Sequence, residues 1–214
     1  MIKLIFFDFD GVIVESVSIK TNAFAKLFED EGDEVVKKVV DYHIAHTGIS
    51  RFDKIKHIYN NFLNRTISDE CFDFLCNKFA DLVIDNVIKA PYVKGAIEFL
   101  EKYYSRYTCF VVSATPYDEL LKIIKQRNLT DYFKGIYGAP QSKLDIVRNI
   151  LLDERVKSHN ALYVGDAMSD YNAAQENKVN FIARINANES IFADVDCIKI
   201  LDLRQLNIVI SNMK

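Results

Sequence analysis

The stretch KLIFFDFDGVIVES, Lys3 to Ser16, decides how the rest of the chain is read. Its apolar run from Leu4 to Phe7 suits a strand covered on both faces, as in a parallel sheet with helices above and below. The run stops at two acids, Asp8 and Asp10, which flank a phenylalanine and precede Gly11. Alternation along a strand sends both carboxylates the same way. Two like charges held together repel, and burying either is costly unless a cation or hydrogen-bond donors offset it. A metal ion is the simplest offset. A plain strand end running into a turn also carries Asp and Gly, so the remaining chain must supply the cation, the donors and further acids.

The 214 residues suffice for one large domain, or for a core domain with a smaller companion. At 50% hydrophobic and 27% charged, the composition is that of an ordinary globular protein. A net charge of -3 and a pI near 5.8 leave no general basic field for nucleic acid or an anionic membrane. Asp8 cuts the first apolar stretch too short for a secretory core or a membrane span. Cys71, Cys76, Cys109 and Cys197 lack zinc-like spacing and are expected as reduced packing residues of a cytoplasmic protein. The sequons at Asn64, Asn128 and Asn188 would then stay unmodified.

Apolar runs like the first recur at TCFVVSAT (108–115), ALYVGDA (161–167) and NFIARI (180–185), with a possible fifth at CIKIL (197–201). Amphipathic stretches such as DELLKIIKQRNL and KLDIVRNILLDE lie between them. This alternation predicts an α/β fold with a Rossmann-like, doubly wound parallel sheet. Residues 15–90 break the alternation with helical periodicity, as in TNAFAKLFEDE, FDKIKHIYNNFL and CFDFLCNKFADLVIDNVI. The expected division is a core of 1–14 and 91–214 with an inserted α-helical cap domain, 15–90, hinged near 14–17 and 88–92.

Ligands of an open parallel sheet bind beyond the carboxyl ends of its strands, and the polar residues fall there. Asp8 and Asp10 follow the first run, Ser113 and Thr115 end the second, and Asp166 and Asp170 follow the third. Thr115 with Pro116 and Asp118 reads as a helix start, Thr115 being the N-cap. At Ser113 a hydroxyl and nearby backbone N–H groups suit a phosphate oxygen, although a structural turn residue explains it as well. Lys143 opens an amphipathic helix, as a surface charge or as the fixed cation that a site of acids and phosphate needs. Asp170 falls in the first turn of a helix, where the dipole favours acids without any function.

Taken together and in order, DFDGV (8–12), Ser113 in VVSAT, Lys143 in QSKLD and GDAMSD (165–170) resemble the haloacid dehalogenase superfamily. The likeness is to the subgroup with a helical cap after the first strand, the phosphoglycolate phosphatases and β-phosphoglucomutases, and it spans nearly the whole chain. It implies Asp8 as the nucleophile that forms an aspartyl-phosphate and Asp10 as the general acid and base. It implies Ser113, Ala114 and Lys143 as the phosphoryl-binding groups. Mg²⁺ would be held by Asp8, the Asp10 backbone carbonyl and Asp166, with Asp170 ordering metal-bound water. Carboxylate, carbonyl and water are the ligands that Mg²⁺ prefers. An acid two residues from the nucleophile is close enough to move the leaving-group proton.

The expected activity is Mg²⁺-dependent hydrolysis of a small phosphomonoester, a sugar phosphate or a phosphoglycolate-like compound, by a monomer or weak homodimer. The alternative is a phosphosugar mutase. Lys20 stands where mutases of that type carry a cap histidine, and Gly165 where they carry a glutamate, and both differences favour the phosphatase. In the cap, HTGISRFDKI (46–55) resembles a substrate-contacting loop, with Arg51 as a clamp on a distal anion or else a surface charge. Lys20 is the second cap residue expected at the substrate, and Lys78 a weaker one. His43 and His46, three apart, are better read as packing or solvated histidines than as a metal pair.

Overall fold

The computed structural model describes residues 1–186 and 191–213; the sequon asparagine Asn188 lies outside them. The first apolar run is strand β1 (Leu4–Phe7), buried along its whole length. It pairs in parallel with β2 (Thr108–Pro116) on one side and β4 (Ala161–Gly165) on the other. With β3 (Gly135–Ala139), β5 (Asn180–Arg184) and β6 (Ile198–Ile200) they form a parallel sheet in the order β3-β2-β1-β4-β5-β6. The chain therefore winds outward from β1 in both directions, which leaves a crevice at the carboxyl end of β1. Strand β3 was not legible in GIYGA, because an edge strand needs no continuous apolar run.

Alternation divides β1 between two cores. Ile5 and Phe7 join the cluster of α5 (Ala96–Tyr103), α6 (Tyr117–Gln126) and α9 (Leu206–Asn212), through Phe99, Leu120 and Ile210 among others. Leu4 and Phe6 face α7 (Lys143–Asp153) and α8 (Met168–Glu176), through Ile146, Val147 and Ala173. Between β1 and β2 the chain forms α1 (Val17–Leu27), α2 (Asp33–Ala45), α3 (Arg51–Asn61) and α4 (Asp69–Lys89). Leu75, Phe79, Val83 and Val87, four apart, are the buried stripe of α4. Ser50 and Ser68 cap α3 and α4, each accepting from the backbone N–H three residues on.

The two connections to these helices pair with one another: Glu15 N donates to Pro91 O (2.9 Å) and Val93 N to Ile13 O (3.0 Å). Arg127, just after α6, donates from Nη1 to the carbonyls of Val87, Ile88 and Ala90 at 3.0, 2.6 and 2.8 Å. All four cysteines are free. No helix among the described residues is long and apolar enough to cross a membrane.

One local reading is corrected. Thr115 is not the N-cap of α6, because β2 runs on to Pro116 and the helix starts at Tyr117 with no side-chain cap. Its hydroxyl is free to turn into the crevice.

Candidate active site

The crevice is built where β1 and its neighbours end. Asp8 N donates to Val164 O at 3.0 Å, which continues the β1–β4 ladder by one residue and fixes Asp8 at the sheet's rim. Asp8 Oδ1 accepts from Phe9 N (2.7 Å) and Oδ2 from Lys143 Nζ (3.0 Å). Lys143 is the first residue of α7, which Ser142 caps by accepting from Asp145 N. The same ammonium donates to Asp170 Oδ1 at 2.7 Å, and Asp170 also accepts from Tyr163 Oη (2.8 Å) and Ala167 N (3.1 Å). Asp170 is thus held on both oxygens, and it orients Lys143 toward Asp8.

Asp8, Asp166 and Asp170 each bring a carboxylate oxygen within 4.8 Å of the others. The Asp166 carboxylate has no hydrogen-bond or ion-pair partner among the described residues. Gly11, at φ +78°, makes room for it, since a Cβ there would collide with Asp166 Oδ2. Burial pushes the Asp8 carboxyl up to about 7; Asp170 and Asp10 push the same way, and Lys143 pulls back. Burial, Asp8 and Asp170 drive Asp166 well above the usual carboxylate range. Burial opposes the charge on Lys143, but Asp170 and Asp8 outweigh it and keep the lysine protonated. One ammonium does not neutralise three clustered acids. A hard divalent cation fits a donor set of this kind.

Asp10 lines the same cavity as Asp8 but takes other partners. Its Oδ1 accepts from Ser16 Oγ (2.6 Å), and its Oδ2 accepts from Lys20 Nζ (2.5 Å), Thr115 Oγ1 (3.0 Å) and Ser113 Oγ (3.4 Å). Burial raises the Asp10 pKa, yet Lys20 and the hydroxyls of Ser16 and Thr115 outweigh it, so the carboxyl is held below its ordinary value. Ser113 Oγ also accepts from Thr115 N, and Ala114 lines the cavity beside it. Lys20, expected at the substrate, lines the cavity and bridges Asp10 and Thr115, donating to Thr115 Oγ1 at 2.7 Å. Thr115 was missed because capping explained it, although its spacing of two from Ser113 on a strand puts both hydroxyls on one face.

The helices supply the opposite wall. Arg51 is buried rather than a surface charge: it lies over the Phe79 ring (4.7 Å), donates to Cys76 O (3.1 Å) and pairs with Glu119 of α6. His43 is buried in the cavity wall, while His46 lies outside it with its ring tilted against that of Tyr42. Lys78 is not a lining residue. Lys54 is, at 2% exposure, and sequence reading passed over it. Its signal was the stripe Arg51, Lys54, Ile55 and Ile58, which places two cations on the buried face of α3. The cavity itself is small, about 60 Å³, below the usual range of small-molecule sites.

No curated protein matches the sequence significantly. Among solved structures, the fold is similar to a predicted phosphoglycolate phosphatase from Haemophilus somnus, at 17% identity, 98% coverage of both chains and a TM-score of 0.77. It is similar to a β-phosphoglucomutase from Clostridium difficile, at 18% identity, 99% and 96% coverage and a TM-score of 0.77. A magnesium-bound hydrolase of the haloacid dehalogenase type from Bacillus subtilis matches at 14% identity, 98% and 99% coverage and a TM-score of 0.72. Identities this low show a shared fold. The sequence profile of the haloacid dehalogenase-like hydrolases matches residues 5–184, most of the chain. With that profile match and the acids gathered at the rim of β1, the protein is a member of the haloacid dehalogenase-like hydrolase family.

Proposed function

We propose that the protein is a Mg²⁺-dependent phosphatase acting on a small phosphomonoester through an aspartyl-phosphate on Asp8. The observation that carries this reading is the division of labour between the two acids of one cavity. Asp8 belongs to the acid cluster with Lys143 behind it, whereas Asp10 is held apart among donors. A carboxylate is a weak nucleophile toward an anionic phosphate, so both charges must be screened at the point of attack. Lys143 supplies one fixed positive charge at Asp8 Oδ2. Asp8, Asp166 and the Asp10 carbonyl would hold Mg²⁺, with Asp170 as an outer carboxylate, and the ion would supply the remaining screening. Ser113 and the backbone at Ala114 would bind the non-bridging phosphoryl oxygens beside Lys143.

Asp10 then moves the leaving-group proton. Held by Lys20 it is a carboxylate and ready to act as a base. To act first as an acid it must leave Lys20 and take up a proton. Because Lys20 belongs to α1, movement of the inserted helices would release that restraint. We therefore assign residues 15–90 as a cap that opens to admit the substrate and closes to exclude bulk water. The mutase alternative is weakened by Gly165, where a Cβ would collide with the Asp170 side chain and leave no room for a glutamate.

The test is phosphate release from a panel of small phosphomonoesters, with Mg²⁺ and with EDTA, by the wild type and Asp8→Asn. Release that requires Mg²⁺ and disappears in a folded Asp8→Asn variant is the expected result. Equal release by the variant would remove Asp8 as the nucleophile.

A further inference from the structure

Tyr163 of β4 is fully buried, on the face of the sheet that α7 and α8 cover. Its ring needs no hydroxyl there. It packs against Phe6 at a centroid distance of 5.9 Å and Phe181 at 6.4 Å, contacts that a phenylalanine would make with the same faces. A hydroxyl buried among apolar rings costs free energy unless it is bonded. The Tyr163 hydroxyl reaches past β1 to Val112 O of β2 at 3.2 Å, and it lies 2.8 Å from Asp170 Oδ1 of α8. Both partners are acceptors, and the hydroxyl has a single proton. Asp170, nearer and charged, takes the stronger bond.

The oxygen on which this bond falls gives it a consequence for the site. Asp170 Oδ1 also accepts from Lys143 Nζ at 2.7 Å, and the same ammonium donates to Asp8 Oδ2 at 3.0 Å. Asp170 Oδ2 is taken separately, by Ala167 N. At Oδ1 the hydroxyl therefore fixes the rotation of the carboxylate and draws charge from the oxygen that competes with Asp8 for the ammonium. Removing it leaves Lys143 as the one donor to Oδ1 among the described residues, and the ammonium is then pulled toward Asp170. Resting on the phosphatase reading above, we propose that Tyr163 is a positioning residue, whose hydroxyl acts through Asp170 to aim Lys143 at Asp8 and at the phosphoryl group beside it. Its second contact, Val112 O, belongs to the residue before Ser113, so the same hydroxyl lies between the two elements that would hold the phosphoryl oxygens.

Steady-state phosphate release at saturating Mg²⁺, by the wild type and Tyr163→Phe, separates positioning from packing, because the variant keeps the ring and loses only the oxygen. Its melting temperature is expected to be unchanged or raised, and its KM to stay within about threefold. Its kcat is expected to fall about tenfold or more, since misalignment at the attacking group is felt in the transition state more than in binding. The same substitution made in Asp170→Ala, followed by single-turnover release at high enzyme concentration, is expected to cost less than about twofold, because the hydroxyl has lost the group it acts through. Asp170→Leu serves as that background should the alanine chain fail to fold. Losses of equal size in both backgrounds overturn the proposal. So does a kcat equal to that of the wild type, a loss that higher Mg²⁺ repairs, or a Tyr163→Phe chain that does not fold, which would assign the hydroxyl to the fold. Those outcomes leave the phosphatase reading in place. Phosphate release from no compound by the wild type removes that reading and the positioning role with it.

Discussion

Lys54 and Gly11 show how single residues serve the site at a cost to the fold. Burial and like charges take the Lys54 ammonium from its ordinary 10.5 to about 7. The stability linked to it is therefore complete above pH 10.5 and is lost as pH falls through 7, because the unfolded chain binds the proton more tightly. Relative to Lys54→Met, the wild type should gain on the order of a few kcal/mol between pH 7 and 10.5. Denaturant unfolding of both proteins at the two ends of that window measures it; a constant difference would show that Lys54 is not an uncompensated buried cation. Methionine at this position should accordingly raise the melting temperature at pH 7. Gly11 answers to backbone conformation and to space together, with φ +78° and the Asp166 carboxylate against its α-carbon. Gly11→Ala should cost about 1–2 kcal/mol and lower kcat by at least about tenfold through displaced Asp166. Unchanged Mg²⁺ affinity in that variant would count against Asp166 as a ligand.

Among the elements, the C-terminus of α4 depends on a residue from outside it. Arg127 donates to three carbonyls at or just beyond its last turn, and its guanidinium lies over the Tyr92 ring at 4.2 Å. Truncation leaves those carbonyls without that donor and removes a cation from the negative end of a helix dipole. Arg127→Ala should cost about 1–3 kcal/mol and speed amide exchange near 87–90, measured by denaturation and hydrogen exchange. Unaltered exchange there would mean that the connection is held by the backbone pairs Glu15–Pro91 and Val93–Ile13 instead. Helix α3 shows why part of the site was hard to read. Its periodicity announces an amphipathic helix, but Arg51 and Lys54 share the buried stripe with Ile55 and Ile58. A charge in an apolar stripe is visible in the sequence; the partner that justifies it is not. For Arg51 that partner is Glu119, 68 positions away.

Over the whole molecule, the inserted helices meet the sheet's rim through the ion pair of Lys20 with Asp10 and helix α6 through that of Arg51 with Glu119. The acids on the sheet side repel one another, so filling the cluster with a divalent cation should stabilise the entire fold. At a hundredfold excess over its Kd, a ligand adds about 2.7 kcal/mol, which raises Tm by about 5–10 °C in a chain of this length. Mg²⁺ is expected to produce such a shift in the wild type and not in Asp166→Asn; equal shifts in both would place the ion elsewhere. The parallel α/β sheet and the gathering of Asp8, Asp10, Lys143, Asp166 and Asp170 at one end of it were legible in local patterns, whereas the strand order came from the folded chain. Apolar runs specify buried parallel strands, and such strands direct their carboxyl-end residues to one crevice. Strand β3 escaped because an edge strand needs little apolar surface, and Thr115 because a capping motif explained it locally. The pairings of Lys20 with Asp10, of Arg51 with Glu119 and of Lys54 with His43 were settled by packing alone. Charge pairing in a low-dielectric interior depends on distances between side chains remote in sequence, and only the folded chain sets those distances.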